Sequence, residues 1–146
     1  MKSKEFQLDR FLDAQKDSYD IALEELRDGK KRSHWIWYVF PQLRGLGASS
    51  ASHTYGVESL AEARAYLVHP ILGPRLREAT NAMLAHRSMA ADSILGELDA
   101  LKFRSCLTLF TLADPSETIF TGALEYFFGG ARDARTIKML ADNLKS

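Results

Sequence analysis

Apolar residues recur along most of this chain at the three- and four-residue spacing of amphipathic helices. Between residues 8 and 28 they form one stripe, which predicts a single long helix. Gly29 follows directly and supplies the left-handed C-cap that commonly ends a helix. The basic residues Lys30, Lys31 and Arg32 come next, where the negative end of a helix dipole favours positive charge.

Similar stripes predict helices over residues 60–68, 74–86, 90–95 and 98–113. Two more helices are predicted after these. The first starts within residues 114–117 and ends before Gly129, and the second is capped by Asp133. Ser59 and Glu62 have the spacing of a capping box, and Pro74 suits the first position of its helix. The whole pattern predicts one all-α domain of seven or eight helices, with a stripe of four residues that we expect to be among the most buried: Phe120, Leu124, Phe127 and Phe128.

Residues 34–40 are apolar on almost every side, and Pro41 ends the segment. The aromatic and β-branched side chains fit a buried strand as well as a helix. We favour a helix capped by Ser33, because no other segment offers a strand partner and a lone strand leaves its backbone groups unpaired. Residues 42–56 then contain three glycines and three serines without periodicity, which predicts a loop of about fifteen residues. Loops of that length in a compact domain are usually functional or disordered.

Composition narrows the class of protein. A chain of 146 residues with 46% hydrophobic residues is long enough for one core and short for two, so we expect a single domain over residues 1–146. Nineteen basic residues balance nineteen acidic ones, which argues against a nucleic acid or an anionic membrane as partner. The N-terminus is too charged for a signal peptide, and no apolar run reaches the roughly 18 residues of a membrane span. We therefore expect a soluble, cytoplasmic protein that is a monomer or a homodimer.

The chain contains one cysteine, Cys106, which lies inside an apolar run. A single cysteine excludes an intramolecular disulfide and a cysteine-based zinc site, and it suits a reducing cytoplasm. We interpret Cys106 as a small buried hydrophobe. None of the histidines has metal-ligand spacing with another histidine or a carboxylate, so no metal site is predicted.

Three stretches of the sequence together resemble a known family: HWIWYVFPQLRGLGASSASHTYG at 34–56, HPILGPRL at 69–76 and KFRSCLTLF at 102–110. They are similar to the bacterial family catalogued as domain of unknown function 1810, and the likeness runs from Asp17 to the C-terminal helix. Some members are labelled calpastatin-like, although calpastatins are disordered and this composition is that of a compact protein. The resemblance implies a mainly helical cytoplasmic domain and implies no catalytic residue.

The loop at 42–56 is the best candidate for a ligand site. Gly45 and Gly47 allow backbone N–H groups to approach an anion, Ser49 and Ser52 add hydroxyl donors, and Arg44 can clamp a phosphate. This combination predicts an anionic small molecule as ligand, such as a nucleotide or a phosphorylated metabolite. The glycines lack the strand before and the helix after that phosphate-binding fingerprints require.

Side chains around the loop add to the predicted site. Trp35 and Tyr55 offer rings for stacking, and Gln42 offers an amide, although Gln42 and Tyr55 are equally suited to holding the loop backbone. His34 and His53 are the candidate catalytic residues, because histidine exchanges protons near neutral pH. Whether the protein is an enzyme, and with which cofactor, is left open by the sequence.

Two other classes of function remain open at this point. In the first, the basic cluster and Arg44 bind nucleic-acid phosphates or a protein partner, against which the zero net charge argues. In the second, the aromatic residues are core, the glycines are turns, and the protein acts through a partner surface without any ligand site.

Overall fold

A computed structural model describes residues 6–86 and 88–145, and within them the chain forms ten α-helices and no β-sheet. The helices, numbered in chain order, are α1 (Asp9–Gln15), α2 (Tyr19–Asp28), α3 (Ile36–Val39), α4 (Ser50–Thr54), α5 (Leu60–Val68), α6 (Leu72–Leu84), α7 (Ala91–Leu95), α8 (Glu97–Ala113), α9 (Thr118–Phe128) and α10 (Ala134–Lys145). The predicted all-α fold is confirmed. The described chain has more helices than the seven or eight predicted, because the first stripe divides and the loop contains a helix of its own.

Helix α8 lies at the centre of the fold and contacts α3, α5, α7, α9 and α10. Its residues from Ser105 to Thr111 are all buried, as expected for a helix that is covered on every side. Cys106 is fully buried there, and burial raises the pKa of its thiol well above the ordinary value. The interpretation of Cys106 as a core residue is therefore confirmed, because a buried neutral thiol is inert.

The first predicted helix is wrong in its continuity, because the chain breaks between α1 and α2. No large apolar residue stands between Leu12 and Tyr19, so packing does not hold the chain helical through this stretch. The Ser18 hydroxyl donates to the carbonyl of Ala14, which ends α1 with a side-chain bond. The predicted end at Gly29 is confirmed, since this glycine has a φ of 76°.

The segment 34–40 is helical, but only over the single turn of α3. Ser33 does not cap it, and Trp35 occupies the position before the first helical residue instead. Ser33 is unavailable because its hydroxyl and its backbone N–H both donate to Glu25. The predicted span and cap were therefore wrong, and the cause is a carboxylate on another helix.

Helix α6 starts at Leu72, two residues before the predicted start at Pro74. The early start depends on His69, whose Nδ1 accepts hydrogen bonds from the backbone N–H groups of Ile71 and Leu72. These bonds satisfy donors that would otherwise be unpaired at a helix N-terminus. A histidine is not among the usual N-cap residues, so the sequence pattern did not indicate it.

The stripe on α9 is buried at its N-terminal half only. Phe120 and Leu124 are 0% and 2% exposed, which confirms the prediction for these two residues. Phe127 and Phe128 are half-buried and pack against the edge of the core next to Phe103, so the prediction was wrong for them. Helix α9 reaches the surface at these two residues, which are its last two before the cap at Gly129.

A buried carboxylate joins α2 to the segment that leads into α3. Glu25 is 5% exposed and accepts four hydrogen bonds, from the backbone N–H groups of Arg32 and Ser33, from the Ser33 hydroxyl and from the indole N–H of Trp35. Burial alone would raise the pKa of Glu25, but these donors favour the charged form and outweigh it. The result is a pKa lowered from 4.5 to about 2.

We expect Glu25→Gln to destabilise the protein, because an amide offers one acceptor oxygen and places its own N–H₂ among donors. A carboxyl with a lowered folded pKa stabilises the fold above its unfolded pKa, and the contribution is lost as pH falls from 4.5 towards about 2. The full contribution is about 3 kcal/mol, of which about 2 kcal/mol is lost between pH 7 and pH 3. Urea unfolding at pH 7 and at pH 3 measures it.

The matched control is Glu24→Gln, which changes an exposed neighbour on the same helix. It should leave the free energy of unfolding within about 0.5 kcal/mol of the unmodified protein. If Glu25→Gln unfolds at the same urea concentration as this control at pH 7, Glu25 does not hold the two segments together.

Candidate functional site

The loop at 42–56 has more order than its composition predicts. An isolated parallel bridge pairs Leu43 with Val57 and closes the loop at its base. Inside the loop, α4 begins after Ser49, whose hydroxyl accepts a hydrogen bond from the backbone N–H of Ser52. The Ser49 hydroxyl and the Ser52 backbone therefore build the loop, and the Ser49 hydroxyl keeps its own proton for donation.

The far end of the loop is held by Arg10 of α1. Its guanidinium donates to the carbonyls of Thr54 and Gly56 at 2.8 Å each, to a carbonyl in its own segment, and to both carboxylate oxygens of Glu62. All five N–H groups of the side chain are used. Glu62 is 2% exposed and also accepts from the backbone N–H of Glu58. The charge pair thus connects α1, the loop and α5.

Several predicted ligand residues lie inside this loop structure. Arg44 donates from Nε to the carbonyl of His53 at 3.0 Å, which places both residues across the base of the loop. The His53 side chain is exposed. Tyr55 packs against the rings of Phe11 and Tyr38. These contacts are of the kind that hold a loop together.

The remaining predicted site residues lie in different parts of the fold. Trp35 is 1% exposed and donates to Glu25, so it belongs to the core and offers no face for stacking. His34 is exposed and lines a different cavity. Gly45 has a φ of 103° and lies so close to Met139 of α10 that a Cβ would stand 2.7 Å from the methionine methyl group. Gly45 therefore brings the loop against α10.

The start of the loop, α8 and the first turn of α10 enclose a cavity of about 330 Å³, which we call the loop groove. The loop provides Gln42, Leu46 and Gly47, α8 provides Leu98, Leu101, Lys102 and Ser105, and Asp133 and Arg135 stand at the beginning of α10. Two of the predicted ligand residues, Gln42 and Gly47, are thus brought together. Gly47 leaves room for the Ser52 hydroxyl, which a Cβ would approach to 2.3 Å.

Gln42 is the unusual side chain of the loop groove. It is 8% exposed, and its amide makes no hydrogen bond to any residue that the structure describes. Its backbone is in place, because its carbonyl accepts from the N–H of Val57. The amide is not among the side-chain atoms that are fully buried without a partner, so it opens into the groove, where water or a ligand can pair with it.

Two cations of the loop groove were missed by the sequence analysis. Lys102 lies on α8, 3.3 Å from Asp99, and Arg135 is exposed in the first turn of α10. Nothing in the sequence distinguishes Lys102, because a lysine on a helix is usually a solvated surface residue. The position of Arg135 could have indicated a functional residue, because a basic residue in the first turn opposes the helix dipole. Such departures from local preference concentrate at functional sites.

A second cavity, of about 400 Å³, lies on the other side of Leu98, and we call it the tryptophan cavity. Trp37 and His34 form one side of it, together with Lys31, and the other side is the start of α8 with the residues before it. The indole N–H of Trp37 is buried and has no acceptor in the described part of the chain. Lys31 forms an ion pair with Asp99 at 2.8 Å.

A larger depression of about 710 Å³ lies between α6 and α9. Its polar side chains, Asn81, Thr118 and Glu125, are all exposed, so water satisfies them. Gln42 of the loop groove differs from these side chains because it is largely buried. Size alone would select this depression, whereas hydrogen-bonding chemistry selects the loop groove.

The described residues contain neither a metal-binding cluster nor a helix that could cross a membrane. No cluster of three or more histidine, cysteine, aspartate or glutamate side chains with metal-binding geometry occurs within 6–86 and 88–145. Over the same ranges, every helix is too short or too polar to cross a lipid bilayer.

Comparison with known proteins identifies the family. The family model described as "Protein of unknown function (DUF1810)" matches residues 5–140, and the chain belongs to this family. Its fold is shared by a crystal structure at 1.38 Å of the conserved hypothetical protein Rv1873 from Mycobacterium tuberculosis. That protein is 46% identical to this chain, the match covers 93% of this chain and 97% of that one, and the TM-score is 0.91. No curated protein matches the chain. The predicted family is confirmed, and none of these matches names an activity.

We expect Arg10→Ala to cost about 3 kcal/mol of stability, because it leaves Glu62 buried without its cation. The same change should release the end of the loop, so amide hydrogen exchange at residues 50–57 should accelerate. Urea unfolding and exchange measured by NMR test the two effects together.

Arg32→Ala is the control for Arg10→Ala, because the Arg32 side chain is 54% exposed and pairs with Asp28 on the surface. Its cost should stay below about 1 kcal/mol. Equal costs for the two variants, with unchanged exchange in the loop, would show that Arg10 is not an anchor.

Proposed function

We propose that this protein binds a small ligand with an anionic group in the loop groove, with Gln42, Lys102 and Arg135 as its polar contacts. The observation that supports the proposal is the amide of Gln42, which opens into the groove and makes no hydrogen bond to a described residue. A ligand in the groove can therefore pair with this amide in place of water.

Charge in the loop groove favours an anion. The carboxylate of Asp133 is engaged by the N–H and the hydroxyl of Thr136, and Asp99 is shared between Lys31 and Lys102. Arg135 has no ion-pair partner in the part of the chain that the structure describes. The positive end of the 12-residue helix α10 lies at the same place and adds to the attraction.

The shape and lining of the groove limit the ligand. A volume of about 330 Å³ is at the lower end of small-molecule sites, which span roughly 300–1,000 Å³. Its walls are aliphatic and include Leu46 and Leu101, and no aromatic ring lines it. Without a ring for stacking, the groove suits a carboxylate or a phosphorylated aliphatic compound better than a nucleotide.

Binding is a better supported role than catalysis. Neither candidate histidine, His34 or His53, lines the loop groove. The groove offers Lys102 and Ser105 as its other polar groups on α8, and the Ser105 hydroxyl donates to the carbonyl of Leu101. The hydroxyl of Ser105 is not hydrogen-bonded to Lys102 or to Asp133, as a nucleophile and its base would be.

The alternative of a basic interaction surface is less well supported, because two of the three cations of the basic cluster form ion pairs. Lys31 is 8% exposed and pairs with Asp99, and Arg32 pairs with Asp28. A surface that binds nucleic acid needs cations that are free to meet phosphates.

The test is a titration of ¹⁵N-labelled protein with sodium phosphate and with sodium succinate, followed by NMR. Both probes should shift the side-chain amide resonance of Gln42. Arg135→Ala and Lys102→Ala should each weaken binding about tenfold or more, because a hydrogen bond to a charged group contributes about 1.5–3 kcal/mol.

Gln42→Leu gives the sharpest result. Because it removes the amide from the groove without breaking a hydrogen bond within the described protein, it should abolish binding and leave the melting temperature equal or higher. Lys138→Ala, which removes a surface cation paired with Asp142, is the control and should bind normally. Shifts that are absent from Gln42, or equal affinities in all of these variants, would refute the proposal.

A further inference from the structure

Two large aliphatic side chains stand exposed at the edge of the loop groove. Leu98 is 72% exposed and Leu101 is 54% exposed, and they lie three residues apart on one face of α8. Leu98 lines both the loop groove and the tryptophan cavity. The two cavities therefore lie on either side of Leu98, and we call the surface that runs from one to the other across the first turns of α8 the trough.

The far end of the trough differs from the loop groove in chemistry. Trp37 lines it, and the indole N–H of Trp37 has no acceptor among the described residues. Packing alone therefore fixes this ring, unlike that of Trp35, whose N–H is bound to Glu25. A ring held in this way can adjust its position to an apolar group placed against it.

We infer that the trough binds an acidic peptide segment in extended conformation. A carboxylate side chain of the peptide lies between Lys102 and Arg135, a peptide group meets the amide of Gln42, and an apolar side chain crosses Leu98 towards Trp37. The inference rests on the anion site proposed for the loop groove and identifies its ligand class.

The hydrogen-bonding chemistry of Gln42 is the first reason for a peptide. A glutamine amide carries both an acceptor oxygen and an N–H₂ donor, and a peptide group offers the complementary donor and acceptor. Phosphate or a simple carboxylate offers oxygens only, and so would use half of the amide. The buried side chain is thus better satisfied by a ligand that contains peptide groups.

The spacing of the leucines is the second reason. Side chains three apart on a helix are about 5–6 Å apart. In an extended chain, side chains two apart point to the same side about 7 Å from each other. Successive same-side residues of a peptide can therefore contact Leu101 and Leu98, which are otherwise exposed aliphatic surface.

Charge is the third reason. Lys102 is held loosely by Asp99, at 3.3 Å, whereas Lys31 is held by the same carboxylate at 2.8 Å. Lys102 can therefore turn to an incoming carboxylate while Asp99 keeps Lys31. Together with Arg135, this places the acidic residue of the peptide at the loop-groove end.

The experiment uses capped tetrapeptides, acetylated and amidated so that their one carboxylate is a glutamate side chain. Each contains one glutamate and two leucines separated by alanine, with the glutamate first or last to sample both chain directions. Titration is followed by NMR at the side-chain amide of Gln42 and at the indole N–H of Trp37. Trp37→Phe assigns the indole resonance, and Trp35 provides an internal reference.

One of these peptides should shift both resonances, whereas sodium phosphate and sodium succinate should shift Gln42 alone. Replacing the peptide glutamate by glutamine should weaken binding at least tenfold. Leu98→Ser changes an exposed residue, so the fold should be kept, and it should weaken peptide binding about tenfold.

Two negative results have different meanings. If phosphate, succinate and the peptides all leave Gln42 unshifted, the proposed anion site is wrong and the peptide inference falls with it. If phosphate shifts Gln42 but no peptide shifts Trp37, or Leu98→Ser leaves peptide affinity unchanged, the peptide inference is overturned and the anion site stands.

Discussion

The burial of one charged carboxylate, Glu25, determines how the first half of this protein is arranged. A carboxylate can leave water only if hydrogen bonds replace its hydration. Four donors from residues 32–35 do so here, and they hold that stretch against α2 in one conformation. A second buried carboxylate, Glu62, has the same role at the end of the loop through Arg10. Residues 32–56 are thus fixed at both ends by charge.

This arrangement explains how Gln42 is held in the wall of a groove without a partner. Its position follows from the bridge between Leu43 and Val57 and from the two charged anchors, and none of these contacts uses its side chain. The opposite wall comes from α8, the central helix, whose other faces are packed. A rigid loop opposite a rigid helix is a suitable support for a binding site, because the polar groups stay in place before the ligand arrives.

The sequence predicted the fold well where a local pattern decides the structure. Periodicity indicated the helices, and Gly29, Ser59 and Asp133 marked helix ends through bonds to neighbouring residues. The sequence-based prediction failed where a residue far along the chain binds a group that the local pattern assigns to a helix end. Ser33 has the chemistry of an N-cap, but Glu25 binds it, and His69 caps α6 although histidine is not a usual cap.

Only part of the candidate site was predicted, again because residues far along the chain complete it. The loop was recognised by its composition, and Gln42 and Gly47 lie in the groove as well as in the loop. Trp35, with its large ring, was a plausible stacking surface until Glu25 is seen to hold it in the core. Lys102 and Arg135 come from helices far along the chain, and only the fold brings them to Gln42. Sequence order carries little information about such a convergence.

Crystals of the protein soaked with a set of small carboxylate fragments test the central claim most directly, namely that the unpaired amide of Gln42 marks a binding site. The account predicts electron density in the loop groove, with a fragment atom within hydrogen-bonding distance of the Gln42 amide and the carboxylate near Lys102 or Arg135. An empty groove, with the fragments bound elsewhere or with only water on Gln42 at every concentration, would contradict it.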